Sequence, residues 1–142
     1  MNQYTAQQAY ELGLLILCVW REARGAGQAA QLGVAWSIRN RVKSGITWWG
    51  STWDSVILAR EQYSSFNPND PNAVKIPKET DPQFANCLVA AEAAYNGTGT
   101  DPTNGSTSYY DSSIPAPDWA ATMTFVIQID TLKFYELENT AT

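Results

Sequence analysis

One apolar segment near the start of the chain constrains its fold more than any other feature. Residues 12–20 are almost entirely apolar, and Arg21-Glu22-Ala23-Arg24-Gly25 follows them directly. The pattern predicts a core helix that ends at a glycine-broken turn. On this helix Glu22 shares a face with Cys18 and Val19, its i−4 and i−3 neighbours. The sequence therefore places an acid at the end of a buried helix.

Two interpretations of Glu22 are open at this point. Apolar neighbours solvate a carboxylate poorly and favour its protonated form, which is the form that a general acid needs. Alternatively, Glu22 pairs with Arg21 or Arg24 at the helix end, and the pairing holds it ionised. The local sequence alone favours the pairing.

The composition narrows the possible chemistry. At 142 residues with 44% hydrophobic and 16% charged residues, we expect a single globular domain over residues 1–142. The chain has no histidine, which excludes the Ser-His-Asp triad, the Cys-His pair and histidine zinc ligation. Cys18 and Cys87 lie in apolar helical stretches, so we expect buried free thiols. We expect no cofactor and no resident metal, and any chemistry rests on carboxylates, hydroxyls, amides or a borrowed metal.

Charge and aromatic content indicate the kind of partner. The net charge is −5, and an acidic domain is a poor nucleic-acid binder. The apolar run is shorter than the roughly 17–25 residues of a transmembrane helix, so we expect no membrane partner. Six tryptophans and seven tyrosines offer flat faces for sugar rings, although most aromatic residues in any domain are core. We expect a monomer that binds a saccharide.

Periodicity and turn residues predict an α+β fold, mainly helical with a small C-terminal antiparallel β-sheet. Helices are expected over about 5–24, 28–43, 53–61 and 81–97. Extended segments are expected over 106–110 and 125–135, with a turn at 130–131. The irregular stretch 62–80 is long for a small domain, and such loops are more often functional than decorative.

A series of short motifs, in order over nearly the whole chain, resembles the SleB-type cell wall hydrolases. This family comprises the spore-cortex-lytic enzymes and their phage endolysin relatives. The motifs are Trp20-Arg21-Glu22-Ala23-Arg24-Gly25, Gly33-Val34-Ala35, Asn40-Arg41-Val42, Gln62-Tyr63-Ser64, Asn96-Gly97-Thr98, Asp101-Pro102-Thr103, Gly105-Ser106-Thr107-Ser108-Tyr109-Tyr110 and Lys133-Phe134-Tyr135. Each motif alone is weak, whereas the ordered set is fairly specific.

The resemblance implies a lysozyme-like fold and a peptidoglycan partner. It implies cleavage of the glycan strand between N-acetylmuramic acid and N-acetylglucosamine, by a lytic transglycosylase or a muramidase. The family's catalytic glutamate falls on Glu22, which would act as general acid and base. In a lytic transglycosylase the muramic 6-hydroxyl, instead of water, closes the reaction to an anhydro product.

The chain departs from the family pattern at three positions. Family members often carry a second acid where this chain has Ala26, and histidines where it has Ser108 and Leu132. Either these positions are not essential to the chemistry here, or activity has been lost. We favour the first interpretation.

Further site residues follow from the resemblance and the residue types. Gln62 and Ser64 enter the long loop and are expected at the substrate, although capping a helix end would explain them equally well. For a second carboxylate the candidates are Glu61, Asp54 and Asp111. We prefer Glu61, whose alternative role is a solvated partner of Arg60.

Two aromatic residues complete the predicted site. Tyr109 and Tyr110 are neighbours on an extended segment and face opposite sides, so we expect one of them, Tyr110, to meet the substrate. Of Trp48, Trp49 and Trp53, one is expected to stack on a sugar, and we assign this role to Trp49.

A non-catalytic peptidoglycan-binding module is the alternative function. Glu22 held in bidentate contact by Arg24 would favour that module, whereas an acid in an apolar pocket would favour an enzyme. The chain shows no signal peptide. We therefore expect either a cytoplasmic protein that is later released to the wall, as a phage endolysin is, or the excised catalytic domain of an exported protein.

Overall fold

The computed structural model describes residues 3–59, 63 and 66–137. Within these residues four helices precede a three-stranded antiparallel sheet, which confirms the expected α+β class. The elements are α1 (Ala6–Ala23), α2 (Gln28–Lys43), α3 (Trp53–Ile57), α4 (Pro82–Asn96), β1 (Ser108–Asp111), β2 (Met123–Ile129) and β3 (Leu132–Leu137).

Local sequence signals explain where the long helices begin and end. Thr5 and Gln8 form a capping box at the start of α1. Asp81 caps α4 ahead of Pro82, and Gly97 ends that helix in the left-handed conformation with φ of +66°. The predicted bounds of these helices are therefore confirmed to within about one residue.

The short helix α3 is the exception, because the predicted range 53–61 is too long. Thr52 caps the helix, but α3 ends at Ile57. The buried apolar face of α3 ends there: Val56 and Ile57 are fully buried, whereas Leu58 is 46% exposed. Without further burial, tertiary packing does not extend the helix.

Helix α1 contributes much of the core. Leu15, Cys18 and Val19 are fully buried, and α1 packs against α2, α3 and α4. Cys18 and Cys87 are both buried free thiols, as expected. In the described part of the chain, no helix combines the length and apolar character needed to cross a bilayer.

The sheet is ordered β1-β3-β2, and its central strand anchors it to the helices. Phe134 of β3 is fully buried against Gly33 of α2, where an added Cβ would lie 2.8 Å from the Phe134 ring. Glycine is therefore required at this crossing of helix and strand. The β2–β3 turn brings Asp130 to the start of α2, where its Oδ2 accepts a hydrogen bond from the Gly27 amide at 2.9 Å. These two contacts set the sheet beside the end of α1.

Candidate active site

A cavity of about 530 Å³ lies where the end of α1, the α1–α2 turn and the tip of the sheet meet. It contains the acid that the sequence singled out and two further carboxylates. Its lining residues are Glu22, Ala23, Gly25, Ala26, Gly27, Asp111, Asp130, Thr131 and Leu132. A cleft of this size, with a few polar groups converging on it, is the usual form of a ligand site.

Glu22 is half-buried in the cavity wall and is hydrogen-bonded to a tyrosine. The Tyr109 hydroxyl donates to Glu22 Oε1 at 3.2 Å. Strand β1 delivers Tyr109 to this position, and its ring packs on Phe134 with centroids 5.6 Å apart. Burial raises the pKa of Tyr109 well above its ordinary value, and the charge of Glu22 raises it further. Tyr109 is therefore a neutral donor at physiological pH.

Two buried groups, the Cys18 thiol and the Tyr63 hydroxyl, lie near Glu22. Cys18 lies one turn earlier on α1 and is fully buried. Burial raises the pKa of this thiol, and the nearby Glu22 adds to the shift. Burial likewise raises the pKa of Tyr63, another neighbour of Glu22. The expected apolar surroundings of the acid are thus present on the core side.

The two arginines that flank Glu22 in sequence hold the helix end. Arg24 donates to Asn72 Oδ1 at 2.9 Å and to the Arg21 carbonyl oxygen at 3.2 Å, and it lies over the Trp20 ring. Arg21 donates through Nε to the Lys75 carbonyl oxygen at 3.0 Å. Among the described residues, neither guanidinium forms an ion pair with Glu22. The described contacts of Arg21 and Arg24 are thus with groups other than the Glu22 carboxyl, and they do not support the alternative in which either arginine pairs with the acid.

Two aspartates face the same cavity as Glu22. Asp111 is one of the three predicted candidates for a second carboxylate. A hydrogen bond from the Ser113 amide, at 2.9 Å, lowers the pKa of Asp111 and keeps it ionised. Asp130 was not singled out by the sequence. A turn at 130–131 was predicted. The contact that places Asp130 at the cavity is with Gly27, however, which lies 103 residues away in the chain.

The other candidate carboxylates are placed differently. Asp54 accepts a hydrogen bond from Thr52 Oγ1 at 2.7 Å at the start of α3, and it does not line the cavity. Glu61, Gln62 and Ser64 lie outside the described residues, so their roles stay predictions.

The two predicted aromatic residues lie away from Glu22. Tyr110 occupies the opposite face of β1 from Tyr109 and stacks on Tyr135 with centroids 5.8 Å apart. Trp49 is buried beneath Arg41, whose guanidinium carbon is 4.8 Å from the ring centroid. The structure thus brings Tyr109, and not Tyr110, to the acid. The proposed contacts of Tyr110 and Trp49 with substrate stay predictions.

The three departures from the family pattern can also be located. Ala26 and Leu132 line the Glu22 cavity, and Ser108 accepts a hydrogen bond from Arg41 Nη2 at 3.0 Å. In the part of the chain that the structure describes, no group of three or more Cys, Asp or Glu residues is arranged to hold a metal ion.

Comparison with known proteins identifies the family. The cell wall hydrolase family model matches residues 25–135, a span that begins just after Glu22. The crystal structure of the catalytic domain of the Bacillus cereus SleB protein is similar, with a TM-score of 0.72 and 25% identity over 96% of this chain and 94% of that one. The catalytic domain of the germination-specific lytic transglycosylase SleB from Bacillus anthracis has a TM-score of 0.73 and 24% identity over 96% and 99%. No curated protein matches the chain in sequence. The chain belongs to the cell wall hydrolase family and shares the lysozyme-like fold of the SleB catalytic domains.

Proposed function

We propose that this protein cleaves the glycan strand of peptidoglycan between N-acetylmuramic acid and N-acetylglucosamine, with Glu22 as general acid and then general base. One observation carries the proposal. Glu22 lies on the wall of an open cavity of about 530 Å³, and the neutral hydroxyl of Tyr109 donates a hydrogen bond to its carboxyl group. Membership of the cell wall hydrolase family supports the choice of polymer.

In the first step, Glu22 donates its proton to the glycosidic oxygen. The bond from this oxygen to C1 of the muramic residue breaks, and the ring flattens toward an oxocarbenium ion. Asp111 and Asp130 line the same cavity. A carboxylate beside a developing positive charge stabilises it, and the hydrogen bonds that lower the pKa of Asp111 keep that group charged.

In the second step, the muramic 6-hydroxyl attacks C1 and passes its proton to the Glu22 carboxylate. The new bond closes a 1,6-anhydro ring, and Glu22 is protonated again for the next cycle. This route needs only one acid–base residue, and Glu22 alone fills that role. The similar protein from Bacillus anthracis is a lytic transglycosylase, which supports the same route here.

Tyr109 is a positioning residue in this scheme. Its hydroxyl donates to Glu22 Oε1 and orients the carboxyl group from strand β1.

The products test this proposal. Purified peptidoglycan is digested in water carrying a heavy oxygen isotope, and the muropeptides are analysed by mass spectrometry. We expect anhydromuramic ends that contain no heavy oxygen, because water does not enter the reaction. We expect Asp111→Asn to give the same products at a rate within about tenfold of the native protein.

Other outcomes would overturn the scheme in different ways. Reducing muramic ends that carry heavy oxygen, together with loss of activity in Asp111→Asn, would mean hydrolysis with Asp111 as the second carboxylate. No cleavage by the native protein, with binding to pelleted peptidoglycan retained, would mean a non-catalytic binding module.

A further inference from the structure

A second cavity, of about 340 Å³, is lined in part by Tyr109. We name it the aromatic cavity. Its lining residues are Arg41, Trp48, Trp49, Ser108, Tyr109, Trp119, Met123 and Leu137. Tyr109 is part of its wall and also donates a hydrogen bond to Glu22, which lines the first cavity, so one side chain connects the two cavities.

Trp48 is an exposed indole on a fixed support. Its side chain is 75% exposed, whereas its neighbour Trp49 is only 6% exposed. The two rings meet edge to face with centroids 6.2 Å apart, and Arg41 covers the buried ring. A single exposed apolar side chain is common, but an indole held beside a cavity offers a flat apolar face to whatever enters that cavity. The placement of Trp48 therefore points to a ligand with an apolar face.

A second indole also lines the aromatic cavity. Trp119 is half-buried and comes from the short 3-10 helix Asp118–Ala121. Its ring meets Tyr135 edge to face at 5.4 Å and Tyr110 at 5.9 Å, so neighbouring rings hold it in place. Two positioned indoles from distant parts of the chain thus flank one cavity.

A buried hydroxyl supplies a polar contact in the same cavity. Ser108 is 7% exposed, and its Oγ accepts a hydrogen bond from Arg41 Nη2 at 3.0 Å. Arg41 also donates through Nε to the Thr107 carbonyl oxygen. Because a serine hydroxyl both accepts and donates, the Ser108 proton is available to an acceptor in the cavity. Aromatic faces with one buried donor suit a pyranose, which has an apolar face and a polar edge.

We propose that the aromatic cavity is a second saccharide subsite, in which an amino sugar of the same glycan strand stacks on Trp48 and accepts a hydrogen bond from Ser108. The inference rests on the proposed function, because it assigns this sugar to the strand that Glu22 cleaves. The adjacency of the two cavities through Tyr109 makes one continuous strand the natural occupant of both. The subsite would increase the affinity for the glycan strand at a distance from the cleaved bond.

The test uses Trp48→Ala, Trp48→Phe and the matched control Tyr10→Ala. Tyr10 is an aromatic residue of α1 that is 49% exposed and lines neither cavity. Steady-state cleavage is measured on peptide-free glycan strands of graded length, and binding is measured by pelleting with peptidoglycan. On long strands we expect Trp48→Ala to raise KM about tenfold with little change in kcat. Trp48→Phe should recover part of the loss, and Tyr10→Ala should behave as the native protein.

Strand length makes the test specific. The increase in KM caused by Trp48→Ala should disappear on strands too short to reach from Glu22 into the aromatic cavity. An unchanged KM on long strands would overturn the subsite while leaving the proposed function intact. An increase in KM for Trp48→Ala that is seen only with peptide-bearing strands would also overturn the subsite, since the ligand would then be the peptide stem.

Binding separates failure of the subsite from failure of the proposed function. If the native protein cleaves no glycan but Trp48→Ala binds peptidoglycan more weakly than Tyr10→Ala does, the subsite stands and the proposed catalysis falls. If no cleavage occurs and all variants bind equally, both fall.

Discussion

The two ends of helix α1 carry the same pair of residues in different surroundings. Near its start, Glu11 accepts a hydrogen bond from the Tyr95 hydroxyl at 3.0 Å. Near its end, Glu22 accepts one from the Tyr109 hydroxyl at 3.2 Å. Both glutamates are half-buried. Burial raises the pKa of both tyrosines, to about 12 for Tyr95, and the adjacent glutamate adds to each shift.

What differs is the space beside each pair. Tyr95 belongs to α4 and packs between Trp53 and Tyr4, with centroids 5.0 and 6.1 Å away, so its pair joins two helices. Glu22 instead faces an open cavity that it shares with Asp111 and Asp130. A tyrosine–glutamate hydrogen bond is therefore not itself a catalytic feature. The cavity and its other carboxylates distinguish the pair that we assign to chemistry.

The largest contrast between the pairs is expected from removing each tyrosine hydroxyl. Tyr109→Phe should lower kcat about 10- to 100-fold, because an orienting contact to the catalytic acid is lost. Tyr95→Phe should leave kcat unchanged and lower the free energy of unfolding by about 1 kcal/mol. Peptidoglycan cleavage and urea unfolding of both variants measure the two effects. Full activity in Tyr109→Phe, or an equal loss of kcat in Tyr95→Phe, would remove the distinction.

A smaller effect should be common to both pairs, since burial is its largest cause in each. In the unfolded chain, cysteine and tyrosine release protons at about 8.5 and 10, whereas the folded protein holds the protons of Cys18, Tyr95 and Tyr109 to higher pH. Between the ordinary and the raised values the unfolded state binds fewer protons, so the free energy of unfolding must fall as pH rises. We expect stability to be retained near neutral pH and to be lost progressively above about pH 9.

Urea unfolding under reducing conditions, over a pH series, measures this dependence. Tyr95→Phe and Tyr109→Phe should each make the loss above about pH 10 less steep, because each removes one raised tyrosine. Stability that stays level or increases through this range would contradict the burial of these groups.

The parts of the fold that the sequence predicted are those governed by local chemistry. The bounds of α1 and α4 follow from Thr5, Asp81 and Gly97, which cap or end a helix through contacts a few residues away. Glu22 could be singled out because the apolar run that precedes it is local too. The length of α3 was mispredicted because it depends on how much core remains to be covered beyond Ile57.

The parts that the sequence could not predict depend on distant contacts. Alternation along β1 showed that Tyr109 and Tyr110 face opposite ways, but the packing of Phe134 against Gly33 decides which face meets α1. Asp130 enters the cavity through its contact with Gly27, far away in the sequence. Likewise, no local signal distinguishes the exposed Trp48 from the buried Trp49 beside it.

The most direct test of the account compares the two glutamates of α1. Glu22→Gln and Glu11→Gln remove one carboxylate each from otherwise similar tyrosine pairs, and cleavage of purified peptidoglycan is measured beside pelleting and thermal unfolding. We predict that Glu22→Gln loses about a thousandfold in rate while still folding and binding, and that Glu11→Gln cleaves at nearly the native rate. Native cleavage by Glu22→Gln, or an equal loss in Glu11→Gln, would contradict the assignment of Glu22 as the catalytic acid.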